Sequence, residues 1–229
     1  MKKLMIALAI VALASVAQAE VVASWTASGA NNFNSMGTVA ATTSDYGFSM
    51  IGGGGFNGTS APAGATFAGA GADAASASAA YADGQYMYFT WDTDYTLTLD
   101  SVTARYSRGS GGATSAQWGT IIGGVWTDIG TTITGIPTAT PTTSTTPITT
   151  TFTGVTGLES GQLGVAFYGG TGTSATDWVR LDSRPSATPM AALSIEGTMN
   201  PVTPIPEPAT MGLLGLGALA LALRRKLSK

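Results

Sequence analysis

The sequence predicts an all-β fold: an antiparallel β-sandwich of jelly-roll-like topology, flanked by an N-terminal signal peptide and one short C-terminal transmembrane helix. Three observations carry that prediction. The middle of the chain breaks into roughly ten short runs rich in β-branched and aromatic residues, punctuated by Gly, Thr and Pro. The clearest of those runs alternate apolar and polar residues with the period of a strand. No part of that region carries a convincing apolar stripe at helical spacing, which leaves sheet packed on sheet as the way to bury a core.

Residues 1–19 read as a secretory signal. Met1-Lys2-Lys3 is its positive start, residues 4–16 are apolar apart from Ser15, and Ala17-Gln18-Ala19 gives the small-x-small cleavage pattern, with Ala17 and Ala19 as its small positions. The mature chain is then expected to begin at Glu20, outside the cytoplasmic membrane, and residues 20–200 are assigned to the sandwich ectodomain. Residues 20–27 (EVVASWTA) read as a first strand, and residues 31–43 as a polar loop with Phe33 and Met36 as packing points. Residues 46–51 form a second short strand, broken by the glycines at 52–55. In the low-complexity stretch 59–80 the alanines suit a helix while the glycines and Pro62 argue for loop or weak strand, so no structure is assigned.

From Tyr81 onward the pattern sharpens. Residues 85–91 (QYMYFTW) have the aromatic content of a strand. Residues 95–106 (YTLTLDSVTARY) alternate at Leu97 and Leu99, then at Val102, Ala104 and Tyr106; the shift of phase predicts a bulge or a change of face. Residues 116–122 and 125–129 are two strands around Gly123-Gly124, a predicted hairpin turn. A Thr/Pro loop comes next at 137–147, and residues 148–155, 163–168, 178–181 and 191–197 complete the set.

Composition narrows the chemistry. Between residues 20 and 208 the only basic residues are Arg105, Arg108, Arg180 and Arg184, against 13 acids, a formal charge of −9. Nucleic acid is not an expected partner, because phosphate neutralisation needs clustered Lys and Arg. The chain has no His and no Cys. That removes Ser-His-Asp and Cys-His catalysis, thiol nucleophiles and His-ligated metals, and it leaves packing or bound ions to stabilise an exported domain.

A pair of carboxylates is the remaining familiar catalytic device, and Glu159 and Glu196 are the mid-ectodomain glutamates. Both sit beside Gly or Ser in turn-like or strand-end positions, so the chain is expected not to be an enzyme. Asp92 and Asp94 could offer oxygens to Ca²⁺, but the chain has neither the glycine nor the downstream glutamate of an EF-hand loop there, and turn-forming aspartates are the favoured reading. No cofactor is expected, and structural calcium elsewhere in the sandwich is left open. Trp91, Trp118, Trp126, Tyr168 and Trp178 could stack on sugars or fill the core, the latter being the more common use. The Thr-rich run 138–156 suits either O-linked glycans or a polar loop, and Asn57-Gly58-Thr59 matches the N-glycosylation pattern.

The end of the chain is a hinge (201–208), an apolar run expected to be helical (209–223) and a basic tail (224–229). Fifteen helical residues reach roughly 22 Å, short of a hydrocarbon core of about 30 Å. Arg224, Arg225 and Lys226 would hold the cytoplasmic side. Pro206-Glu207-Pro208, then Ala209-Thr210, a Gly/Leu/Ala run and an Arg-rich end closely resemble the PEP-CTERM sorting signal of bacterial envelope proteins. The resemblance covers the C-terminal tenth of the chain. It implies that an exosortase-type membrane enzyme recognises the Pro-Glu-Pro region and cleaves the tail.

The order of YMYFTW, YTLTLDSVTARYSRGSGG, LGVAFYGGTG, WVRLDS and ALSIEGT is also similar to ectodomains common in PEP-CTERM proteins, taken as jelly-roll or lectin-like sandwiches of unassigned activity. Where those often read Leu/Ile-Asp-Asn, this chain has Leu181-Asp182-Ser183, so no role is carried over to Asp182. The expectation is an exported cell-surface or matrix protein, structural or adhesive, with extracellular polysaccharide as neighbour and the membrane as a transient partner. A specific carbohydrate-binding module and a secreted glycoside hydrolase are the alternatives.

Overall fold

The computed structural model describes residues 19–26, 38–54, 65–70, 72–138, 146–171, 177–182 and 191–202. Outside the described residues lie Ala17, the Asn57 sequon, Pro206, Glu207, Pro208, Arg224, Arg225, Lys226 and the expected C-terminal helix. In chain order the elements are β1 (Glu20–Thr26), β2 (Thr38–Ala40), β3 (Ser49–Gly52), β4 (Ala65–Ala70), α1 (Ala77–Ala82), β5 (Tyr86–Thr90) and β6 (Tyr95–Ala104). They continue with β7 (Tyr106–Arg108), β8 (Ser115–Ile122), β9 (Val125–Thr134), β10 (Ile148–Thr151), β11 (Leu163–Tyr168), β12 (Trp178–Asp182) and β13 (Ala191–Pro201).

The strands form a four-stranded sheet β1-β13-β6-β10, a six-stranded sheet β2-β3-β5-β11-β8-β9 and a three-stranded sheet β4-β12-β7. All strand pairs are antiparallel. The chain crosses between the two larger sheets from β5 to β6, from β9 to β10 and from β10 to β11, so strands far apart in sequence become neighbours. The expected all-β sandwich is the architecture found.

Two sequence signals acquire a geometric meaning. Along β6 the register steps from Ser101, opposite Glu196, to Leu99, opposite Gly197, which leaves Asp100 as the extra residue of a bulge. The bulge restores the inward direction, so Leu97, Leu99, Val102 and Ala104 are all buried. The Asp100 carbonyl accepts from the Phe152 N–H at 2.8 Å, just past the end of β10 at Thr151, so the strand is shorter than the 148–155 expected. Gly123 and Gly124 have φ of 59° and 78° between the paired residues Ile122 and Val125. A two-residue hairpin turn of that left-handed kind matches the twist of its strands and is accessible to glycine without strain.

Elsewhere the structure adds to the expectation. The strand predicted over 95–106 is two strands in two sheets, divided at Arg105, whose N–H bonds the Ala192 carbonyl at 2.9 Å. The stretch left without structure contains β4, paired with β12, and α1. The Ser76 side chain caps that helix by accepting from the Ala79 N–H. Helix α1 lays Ala77 and Ala80 with Ala166 of β11, a contact that small side chains permit at short range.

Between the sheets runs a line of rings. Trp25 meets Phe89 at 5.5 Å between centroids, Phe89 stacks on Trp118 at 5.7 Å, Trp118 meets Phe152 edge-on at 6.4 Å, and Phe48 stacks on Trp91 at 5.1 Å. Such pairs contribute about 0.5–1.5 kcal/mol each beyond area burial. Trp118 donates from Nε1 to the Tyr106 hydroxyl at 3.2 Å, which satisfies two buried polar atoms. Trp91 and Trp118, weighed as sugar-stacking residues, are core residues.

Candidate functional site

The outer face of the six-stranded sheet carries the most distinctive surface chemistry. Alternation along β5 turns Met87 and Phe89 into the core and leaves Tyr86, Tyr88 and Thr90 half-buried on the outside. Register then sets one rung across the sheet: Ile51, Tyr88, Gly164, Gly119 and Asp128. Its two central positions are glycines, which makes a trough in the sheet surface. Trp126, one strand-step along β9, fills it. A Cβ on Gly119 would overlap the Trp126 ring, and one on Gly164 would lie 3.1 Å from its Cζ3.

Further rings continue from Trp126. Tyr81, in the last turn of α1, is offset-stacked on it at 5.6 Å and 30°, and meets Tyr86 at 4.8 Å. Tyr86 lies 6.1 Å from Tyr88, inclined by 35°. Gly53 gives Tyr86 the room that Gly119 gives Trp126: a Cβ there would stand 2.5 Å from the Tyr86 ring. Trp126 therefore rests on the two glycines with Tyr81 stacked on it, and with Tyr86 it packs against the alanine cluster of α1 and Ala166. Two hydrogen bonds hold the arrangement: Trp126 Nε1 donates to Asp128 Oδ1 at 2.6 Å, and the Tyr81 hydroxyl donates to the Gly124 carbonyl at 3.2 Å. Burial first, then the neighbouring Tyr81 and Tyr88, raise the Tyr86 hydroxyl above its usual range. It remains a neutral donor at ordinary pH.

The other candidates resolve into structural roles. Asp92 Oδ1 accepts from the Asp94 N–H at 3.0 Å and the Asp92 carbonyl from the Tyr95 N–H at 3.2 Å, the turn that the aspartate pattern favoured. Among the described residues no group of three or more acids is placed to hold a metal ion. Glu159 accepts from Gln162 Nε2 at 3.3 Å within a turn, and Glu196 accepts from the Ser101 hydroxyl at 2.9 Å across β13 and β6. The Arg180 guanidinium lies 4.3 Å over the half-buried Trp178 ring, and Tyr168 packs, as Tyr86 and Trp126 do, against the alanines of α1 and Ala166. Asp182 pairs with Ala65 as part of β12. In the Thr-rich run, Thr149 and Thr151 are exposed and Thr150 is buried. They help line a cleft of about 310 Å³ between β9 and β10.

The described residues end at Val202, whose N–H bonds the Asp94 carbonyl at 2.8 Å. The match to a known family lies beyond Val202. Residues 204–226 carry the PEP-CTERM protein-sorting motif. Its span contains Pro206, Glu207, Pro208, Arg224, Arg225 and Lys226. The PEP-CTERM motif marks an exported protein, sorted to the cell envelope or surface, with an exosortase-type processing enzyme as partner. Neither a curated protein nor a solved structure matches the chain. Among the described residues no helix is long and apolar enough to cross a membrane. At the other end, Ala19 is exposed and directly precedes β1.

Sequence reasoning named Trp126 but missed Tyr81, Tyr86 and Tyr88 as its companions. A signal was present: Tyr86 and Tyr88 share parity in QYMYFTW, and small residues recur at every second position of LGVAFY. Only the register of β5, β11 and β8 brings those parities onto one face.

Proposed function

We propose that this is a non-enzymatic exported sandwich domain, structural or adhesive at the cell surface or in the extracellular matrix, with exopolysaccharide as its neighbour. The carrying observation is the junction between fold and motif. The Val202 N–H is still bonded to the Asp94 carbonyl of the sandwich and the sorting motif begins at residue 204, so the sandwich is read as cargo for the tail. In this reading residues 209–223 insert in the membrane, Arg224, Arg225 and Lys226 stay on its cytoplasmic side, and the tail is removed near Pro206-Glu207-Pro208. Glu159 and Glu196 are each held in local hydrogen bonds, which favours a non-catalytic role. The strand order β1-β13-β6-β10 against β5-β11-β8-β9 supports a jelly roll, since the crossing connections nest the strands as two Greek keys do.

Terminal-peptide and intact mass measurements on the protein from its own host test this account. A chain from Glu20 to a residue near Pro208 is expected. Recovery of residues 221–229 in the membrane fraction, with no shortened form, would make the tail a plain anchor and remove the processing step. A second reading, a specific carbohydrate-binding module, is favoured by the ring-covered face of the six-stranded sheet.

A further inference from the structure

We propose that the outer face of the six-stranded sheet is a binding platform for a neutral glycan chain, with Trp126 as its anchor and Tyr81, Tyr86 and Tyr88 as the adjoining surface. The inference rests on the reading of exopolysaccharide as neighbour and deepens it by naming the site and the class of sugar.

Three observations carry it. The first is the presentation of the rings. Gly119, Gly164 and Gly53 stand where a side chain would displace Trp126 or Tyr86, so the rings settle close to the sheet, half-exposed and in contact with one another through Tyr81. A ring face is electron-rich and apolar, which suits the C–H face of a pyranose.

The second is the polar rim. Asp128 holds Trp126 Nε1 through one oxygen and keeps acceptor capacity for a hydroxyl; the Tyr86 and Tyr88 hydroxyls supply donors, that of Tyr81 being given to the Gly124 carbonyl. Few apolar rings with fixed polar groups beside them are the usual make-up of a small-ligand site. A surface for a second protein would call for an apolar centre, whereas among the described residues the part-exposed aliphatic side chains on this face are Ile51 and Ile121, with the exposed Ile122 and Val125 at its β8–β9 hairpin edge.

The third is charge. Arg105, Arg108 and Arg180 lie at or beside β7 and β12, in the three-stranded sheet, and none is on this face. The formal charges beside the rings are the exposed acids Asp83 and Asp128. In a span of net charge −9, residues 20–208, a uronate or sulfated polysaccharide would meet repulsion with no compensating cation on this face among the described residues. A neutral chain meets none.

The test uses the full-length chain in mild detergent, on native gels containing a neutral glucan, an acidic uronate polysaccharide or matrix polysaccharide from the host. Retention by the neutral glucan, unchanged between low and high salt, is expected. Trp126→Ala should weaken it by about tenfold or more and Tyr88→Ala by less, while Trp126→Phe retains most of it. Unchanged near-ultraviolet circular dichroism would show that the variants are folded. Preference for the uronate polymer would overturn the proposal. So would a dimer that Trp126→Ala dissociates, since the face would then be a contact between copies. Binding to host matrix that no ring substitution alters would leave the broader reading standing and this site overturned. No binding to any of the three would overturn the site and the polysaccharide association together, leaving sorting to be judged by the mass measurement.

Discussion

Gly119 of β8 and Trp126 of β9 form one structural unit, because the indole lies where any side chain on residue 119 would have to be. Gly119→Ala is therefore expected to displace a ring, not to fill a space. Overpacking of this kind typically costs about 1–3 kcal/mol, and a half-exposed ring that can swing outward puts the expected loss near the lower end, about 1 kcal/mol. A red-shifted tryptophan emission with a small drop in the denaturation midpoint is the expected pair of readings. An unchanged spectrum would mean that Trp126 does not rest on Gly119 in solution.

The buried bond between Trp118 Nε1 and the Tyr106 hydroxyl predicts an asymmetry. Tyr106→Phe strands a buried indole N–H and should destabilise the domain by about 1–3 kcal/mol. Trp118→Phe strands the hydroxyl and also leaves a cavity between Phe89 and Phe152, so its loss should be the larger. Equilibrium denaturation in urea separates the two.

Burial holds the Tyr106 hydroxyl protonated far above its ordinary value of 10.0, although its bond with Trp118 lowers it somewhat. Burial also raises Tyr46 and Tyr86. For a group raised by folding, the stability is fully present below the unfolded value and is lost as pH rises beyond it, because only the unfolded chain then releases the proton. With no histidine in the chain, the melting temperature should stay nearly level from about pH 6 to 9 and fall above about pH 10. Tyr106→Phe should flatten part of that alkaline fall, as thermal scans across the range would show.

At the β8–β9 hairpin, Gly124 has a φ of 78°. Gly124→Val should cost about 1–2 kcal/mol from left-handed strain alone, whereas Gly123→Asn should be nearly neutral because Asn tolerates that region. Comparable losses for both would show that the turn differs in solution.

The Asp92 side chain serves the Asp94 N–H. Asp92→Asn keeps the acceptor and should be neutral within about 0.5 kcal/mol. Millimolar Ca²⁺ or a chelator should leave the melting temperature unmoved in both forms; a Ca²⁺-dependent rise lost in Asp92→Asn would turn this loop into a metal site.

Much of the fold was legible before any coordinates. The phase shift in YTLTLDSVTA is the Asp100 bulge, and Gly123-Gly124 is the hairpin turn, because both signals are local: strand parity and backbone freedom are read from adjacent residues. What was not legible depended on partners distant in the chain. Ala65–Ala70 has poor strand propensity and becomes β4 because β12 is there to pair with it. The split at Arg105 follows from β13 and β12 drawing successive residues into different sheets.

The same division holds for function. The sequence by itself determined destination, because a sorting tail is read as a linear order of prolines, apolar residues and basic residues. It also removed whole classes of chemistry, since a chain without His or Cys lacks those groups in any fold. Tertiary structure decided the use of each aromatic ring. Trp118 and Trp126 are eight residues apart on adjacent strands, but one points into the core and the other lies across Gly119 and Gly164 on the outer face. Strand parity gives each ring a side, and only the packing of a second sheet against one of those sides makes the other the surface.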